Sequence, residues 1–155
     1  MTPHLFTALP LLAALMGGDP PDKAPEEIRV TVVAILASTD KNAKVDKKLV
    51  EVAAAVQPQY PELVGFRFGP QTCKPVEIGK EETFDLVDDV KATVLVQQGY
   101  DKKGRVGLKV KPPQLNEITY STCCHKYFPL VTPYETKDKK ERLIVAVMVC
   151  PCKEK

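Results

Sequence analysis

Four of the five cysteines in this 155-residue chain lie in its last third, as Cys123-Cys124-His125 and Cys150-Pro151-Cys152, while Cys73 stands alone upstream. Thiols can bridge, hold a soft metal or attack a substrate, and their spacing separates these chemistries. In extended backbone, residues two apart share a face and adjacent ones diverge. Cys150 and Cys152 would then point one way, and Cys123 and Cys124 opposite ways. The pattern predicts disulfides, with Cys123 or Cys124 joined to Cys150 or Cys152, and Cys73 joined to the remaining member of the adjacent pair. Each such bridge closes a loop of tens of residues and contributes about 2–4 kcal/mol. Five thiols is an odd number, so one is left over. A bond between Cys123 and Cys124 is disfavoured because its small ring strains the peptide between them.

The alternative chemistry is a Zn²⁺ or Cu⁺ site made from Cys123, Cys124, His125, Cys150 and Cys152, since thiolate and imidazole suit both ions. Its weakness is spacing. Paired cysteine ligands of zinc are commonly separated by two to four intervening residues, so that a turn wraps the ion, and neither the adjacent pair nor the C-x-C has that spacing. Redox catalysis is weaker still. An active dithiol is C-x-x-C at a helix N-terminus, whereas Cys150-Pro151-Cys152 follows an apolar strand-like run.

No other constellation supplies catalysis. His125 is the only histidine beyond the amino-terminal segment, so a triad or hydrolytic metal centre would rest on it alone. Glu81-Glu82 and Asp88-Asp89 are paired carboxylates, but they flank strand-like segments and read as solvated. The run Lys137-Asp138-Lys139-Lys140-Glu141-Arg142 reads as a charged hairpin loop and a solvated face. The glycines are scattered and form no phosphate-cradling loop. No catalytic residue and no cofactor is assigned. With 22 basic against 20 acidic groups in alternation, the chain has no one-sign field to attract nucleic acid or an anionic membrane.

The disulfide reading depends on compartment. Leu5 to Met16 is apolar, of signal-peptide length, and short of the roughly 20 residues that span a bilayer. Residues 1–18 are expected to be a signal peptide cleaved near Gly18, which places the mature chain in the periplasm or outside the cell, where disulfides persist. Residues 19–27, acidic and proline-rich, read as a disordered linker. Residues 28–152 then form a single domain with no further membrane-spanning stretch.

The elements that must position the cysteines follow from periodicity. Ile28 to Ser38 is β-branched and apolar on both faces in its second half, which suits a central strand. Asp46 is a good N-cap, Val45 and Val50 are placed as a hydrophobic staple, and Val45, Leu49, Val52, Ala53 and Val56 make one stripe of a helix over Asp46 to Gln57. Strands are expected at Leu63 to Phe68, Lys74 to Ile78 and Thr83 to Val87. A hairpin follows, with Lys91 to Gln98 and Arg105 to Lys111 joined through Asp101-Lys102-Lys103-Gly104, where Gly104 allows left-handed backbone. Ile118 to Thr122 and Phe128 to Thr132 flank the first cysteine cluster. Arg142 to Val149, apolar throughout, reads as a second central strand. The fold class is α+β: a β-rich antiparallel sheet with one packed helix, or a sandwich with the helix capping one opening.

Ile28 to Leu36, Val45 to Val56, Phe84 to Val87, Gly104 to Pro113, Ile118 to Cys124 and Arg142 to Val149 together resemble small exported proteins of bacteria with large, paralogue-rich genomes. That resemblance implies a compartment and a fold and carries no activity. The function expected is an exported, non-enzymatic binding or structural domain of the cell envelope, its partner an envelope protein or surface component. The alternative is a periplasmic Zn- or Cu-binding protein using the C-terminal cysteines.

Overall fold

The computed structural model describes residues 27–150. The expected signal peptide, most of the linker, Pro151 and Cys152 lie outside the described residues. The strands are β1 (Glu27–Ser38), β2 (Gly65–Glu77), β3 (Glu81–Asp85), β4 (Lys91–Gln98), β5 (Arg105–Lys111), β6 (Ile118–Cys123), β7 (Phe128–Glu135) and β8 (Arg142–Cys150), and the helix α1 is Val50–Val56. The fold is α+β and β-rich, with two four-stranded antiparallel sheets ordered β2-β1-β8-β7 and β3-β4-β5-β6.

The central pair β1–β8 explains the layering. Val30, Val32, Ala34 and Leu36 of β1 face the second sheet with Leu143, Val145, Val147 and Val149 of β8. They meet Phe84, Val94, Val96, Val106, Leu108 and Val110 in the main core. The alternate residues Val33, Ile35, Ala37, Ile144 and Ala146 face the helix and bury Leu49, Val52, Ala53 and Val56. A strand apolar on both faces is stable only between two apolar layers, and here it has them. The helix therefore lies on the outer face of the first sheet and does not cap an opening.

Three local expectations need correction. Leu63 to Phe68 and Lys74 to Ile78 belong largely to one long strand, β2, whose pairing with β1 shifts register between Val33 and Ile35. The bulge falls at Gly69-Pro70, where the extra residue and the missing donor of proline interrupt the alternation that defines a strand in sequence. The helix is shorter than expected. Asp46 does cap its start, its Oδ1 accepting the Lys48 amide at 2.8 Å, but Lys47–Leu49 is a 3-10 turn and only Val50–Val56 is α-helical. Val50, the expected staple partner of Val45, is 57% exposed. The third strand is Glu81–Asp85, so Glu81 and Glu82 sit within it.

The β4–β5 hairpin is built as its turn residues dictate. Asp101 Oδ1 accepts the amides of Lys103 at 2.8 Å and Arg105 at 2.9 Å, and Gly104 has φ of 71°. An aspartate closing its own turn and a glycine in the left-handed region are the usual solution for such a loop. Pro70 and Pro75 lie in β2, and Pro129 and Pro133 in β7. These are the two edges of the first sheet, where a residue without an N–H can be accommodated and discourages pairing with another chain. No helix among the described residues is long and apolar enough to cross a membrane.

Candidate functional site

Among the described residues, Cys73, Cys123 and Cys124 do not gather at one point. Cys73 lies on β2 opposite Thr31, and its Sγ accepts from Arg29 Nε at 3.1 Å. Cys123 ends β6 opposite Arg105 in the second sheet, whereas Cys124 makes a parallel bridge to Val149 in the first. The adjacent pair therefore straddles the two sheets. His125 follows with φ of 64°, and its amide donates to the Val149 carbonyl at 3.1 Å. Cys73 and Cys123 are free thiols.

This register corrects the expected connectivity. Between Cys73 and Cys124 stand β1 and β8, three strand spacings, which amounts to roughly 14 Å in a flat sheet. A disulfide needs Cα atoms within about 7 Å, so Cys73 is not placed to bridge either member of the adjacent pair. Cys124 is different. Its backbone aligns with Val149, the residue before Cys150, which puts the Cα of position 150 at roughly 6 Å, within disulfide range, although neighbouring positions of a strand alternate faces. Of the five residues considered for a soft metal, Cys123, Cys124 and His125 are fully described. Among the described residues no three His, Cys, Asp or Glu side chains gather as a ligand set.

A concavity lies elsewhere, at the end of the sandwich where β1 finishes. It is a cleft of about 620 Å³. One wall is the loop after β1, stiffened by its own polar residues. Ser38 Oγ accepts the Asp40 amide at 3.0 Å, and Asp40 Oδ1 accepts the Asn42 amide at 2.9 Å. Turns of this kind fix backbone that would otherwise be free. The loop then pairs with the start of β2, Phe66 donating to the Lys44 carbonyl and Asp46 to the Phe66 carbonyl. Gly65 permits this close approach, because a Cβ there would collide with the Ala43 side chain.

The opposite wall is the β7–β8 loop that the sequence marks only as charged. It is closed by Thr136, whose amide donates to the Glu141 carbonyl and whose Oγ1 accepts the Glu141 amide at 3.0 Å. It is also tied to the second sheet. Asp88 Oδ2 accepts the Lys137 amide at 2.8 Å and the Tyr134 hydroxyl at 3.0 Å. At its base Arg67 grips Glu141 with two parallel bonds, Nε to Oε2 at 2.9 Å and Nη2 to Oε1 at 2.6 Å. Glu141 is buried and Arg67 half exposed. This fork holds the Glu141 carboxyl below its ordinary range and raises the guanidinium further. The Lys137 amide, with help from Tyr134, lowers Asp88 in the same way.

Four cations, Lys44, Arg67, Lys139 and Lys140, face two carboxylates, Asp40 and Glu141, around the cleft. Glu141 is already engaged by Arg67. Lys44, Lys139 and Lys140 form no ion pair among the described residues. The site thus offers hydroxyls, ammonium groups without an ion pair among the described residues, and a partly used guanidinium on a hydrogen-bonded frame. Sequence reasoning missed it because Lys44, Arg67, Asp88 and the Lys139-Lys140 pair come from four separate regions of the chain. The run Lys137 to Arg142 was the one local signal.

A second, apolar groove of about 360 Å³ runs between α1 and β7, lined by Val56, Tyr60, Ile118, Phe128 and Leu130 among others. Phe128 is 37% exposed and stacks on Tyr120 with ring centroids 4.0 Å apart. The Tyr120 hydroxyl is buried without a hydrogen-bond partner among the described residues, and burial pushes its pKa well above that of an ordinary phenol. No family model, curated protein or solved structure matches this chain.

Proposed function

We propose that this chain is an exported, non-enzymatic binding domain of the cell envelope, periplasmic or secreted after cleavage near Gly18, and that the cleft at the end of the sandwich is its binding site. The observation that carries this reading is the clamping of the cleft. Backbone hydrogen bonds, the Asp88 carboxylate and the Arg67–Glu141 fork all restrain short loops whose tips carry exposed side chains. Surface loops gain little from such restraint unless they present groups in a fixed geometry, because pre-ordering lowers the entropy lost on binding. Export is supported by the apolar run Leu5 to Met16 and is compatible with a bridge from Cys124 to the C-terminal cysteines.

Two measurements test the reading. Intact-mass analysis after expression in a native-like host should show loss of roughly two kilodaltons, the size of a short signal; a full-length cytoplasmic product would defeat export. In the same host, a photoreactive residue replacing Thr39 at the cleft should give a discrete crosslinked adduct. One replacing Lys102, at the hairpin tip on the opposite end of the sandwich, should give none. Equal labelling from both positions, or none from Thr39, would remove the cleft from consideration.

A further inference from the structure

We propose that the cleft takes a small multivalent anion, a ligand carrying two or more phosphate or carboxylate groups. The inference rests on the reading of the cleft as a binding site and names the class of ligand. Its basis is how the cations are supplied. Lys44 comes from the wall after β1, Lys139 and Lys140 from the facing β7–β8 loop, and Arg67 from the base between them. Cations delivered from both walls and the base act together on an anion lying between the walls, and a concave site focuses their field more than a flat surface does.

The local carboxylates, Asp138 near Arg67 among them, weaken this field without cancelling it. Glu141 is committed to Arg67 through both oxygens, and Asp40 uses Oδ1 for the Asn42 amide. Arg67 still has capacity. A guanidinium carries five N–H donors, and the fork to Glu141 uses two of them. Lys140 has φ of 51°, and its amide donates to the Thr136 carbonyl at 3.1 Å. That conformation is uncommon for a lysine. The tight closure therefore sets two consecutive ammonium-bearing residues on a fixed backbone beside the cleft. Hydroxyls of Ser38 and Thr39 line the same space and can donate to anionic oxygens. A single charge would engage only part of this set, so a ligand with several anionic groups fits it best. The cations in the cleft are partly solvated, so binding should weaken as salt rises.

The test is an NMR titration of the ¹⁵N-labelled chain at low ionic strength with three probes: pyrophosphate, citrate and maltotriose. Saturable shifts of amides in residues 38–44 and 136–141 with pyrophosphate, citrate or both support the proposal. The choice between the two anions tells phosphate from carboxylate recognition. Affinity should fall at least fivefold between 20 and 200 mM NaCl, on the order expected for a few screened charges. Combined Lys139→Glu and Lys140→Glu should weaken binding at least tenfold, whereas Lys102→Glu with Lys103→Glu should leave it within twofold. If the first variant does not fold, the wild-type titration and its salt dependence still decide. Shifts with maltotriose and neither anion would overturn the anion class while keeping the cleft as a binding site. No response to any probe would overturn both readings.

Discussion

Asp88 holds Lys137 from the other side of the sandwich: its Oδ2 accepts the Lys137 amide at 2.8 Å although the residues are 49 apart in the chain. Asp88 itself has φ of 53°. Aspartate enters that left-handed region more readily than most residues, and there its carboxylate reaches the loop of the facing sheet. Asp88→Gly keeps the backbone conformation and removes the acceptor. Hydrogen exchange at the Lys137 amide should accelerate at least tenfold, while the Lys103 amide, capped by Asp101, keeps its wild-type rate. Unchanged protection at Lys137 would show that the carboxylate does not restrain the loop.

The Arg67–Glu141 fork predicts a pH dependence. Glu141 titrates lower in the folded state than in the unfolded chain, because Arg67 stabilises its charged form. Its stabilising contribution is fully present above the unfolded value of about 4.3 and is lost as pH falls through the lower folded value. Thermal melts from pH 6 to pH 2.5 should therefore show a decline that Glu141→Gln flattens. At neutral pH Glu141→Ala should cost about 1–2 kcal/mol, the lower end for a paired carboxylate, because half-exposed Arg67 can rehydrate. A variant with the wild-type acid profile would exclude the fork as its source.

Leu49 is fully buried between the helix and the first sheet. Leu49→Asp places an unpaired charge there and should cost roughly 3–5 kcal/mol, or leave the protein unfolded at ambient temperature. Val50→Asp, one position on but exposed, should change stability by less than about 0.5 kcal/mol. Equal melting of the two variants would contradict the packing.

Tyr120 offers the opposite sign. Its hydroxyl is buried without a partner among the described residues, so Tyr120→Phe removes an unsatisfied group and keeps the ring stacked on Phe128. Denaturant unfolding should show no loss of stability and a gain of up to about 1 kcal/mol. A clear loss would mean that the hydroxyl is hydrogen-bonded in solution.

For the thiols, peptide mapping of the purified, non-reduced protein should find Cys124 linked to Cys150 or Cys152 and Cys73 unmodified. A Cys73 bridge to Cys123 or Cys124 within one chain would contradict the sheet order. All five thiols free, together with bound zinc or copper, would favour the soft-metal alternative instead.

The sequence by itself determined what short-range periodicity can carry. The second half of Ile28 to Ser38, and Arg142 to Val149, are apolar on both faces, which marks them as central strands, and the structure pairs the two residue by residue from Arg29 with Cys150 to Ala37 with Arg142. The stripe Leu49, Val52, Ala53 and Val56 had to be buried, and the turn at Gly104 had to close a hairpin. In each case the residues that set the outcome are neighbours along the chain or recur at the period of the element.

Tertiary structure decided everything that depends on pairing across distance. The alternation in β2 breaks at Gly69-Pro70, and only the continuing register with β1 makes the two halves one strand. Asp88-Asp89 reads as a solvated pair until Lys137 and Tyr134 are brought to Asp88, and Lys137 to Arg142 reads as a solvated loop until Arg67, 74 residues before Glu141, fixes its base. The same holds for Cys73, which composition groups with the other thiols and two intervening strands separate. A polar side chain carries no mark of its distant partner. Its role depends on which backbone the fold brings within hydrogen-bond reach, and that is set by packing of the apolar layers rather than by spacing along the chain.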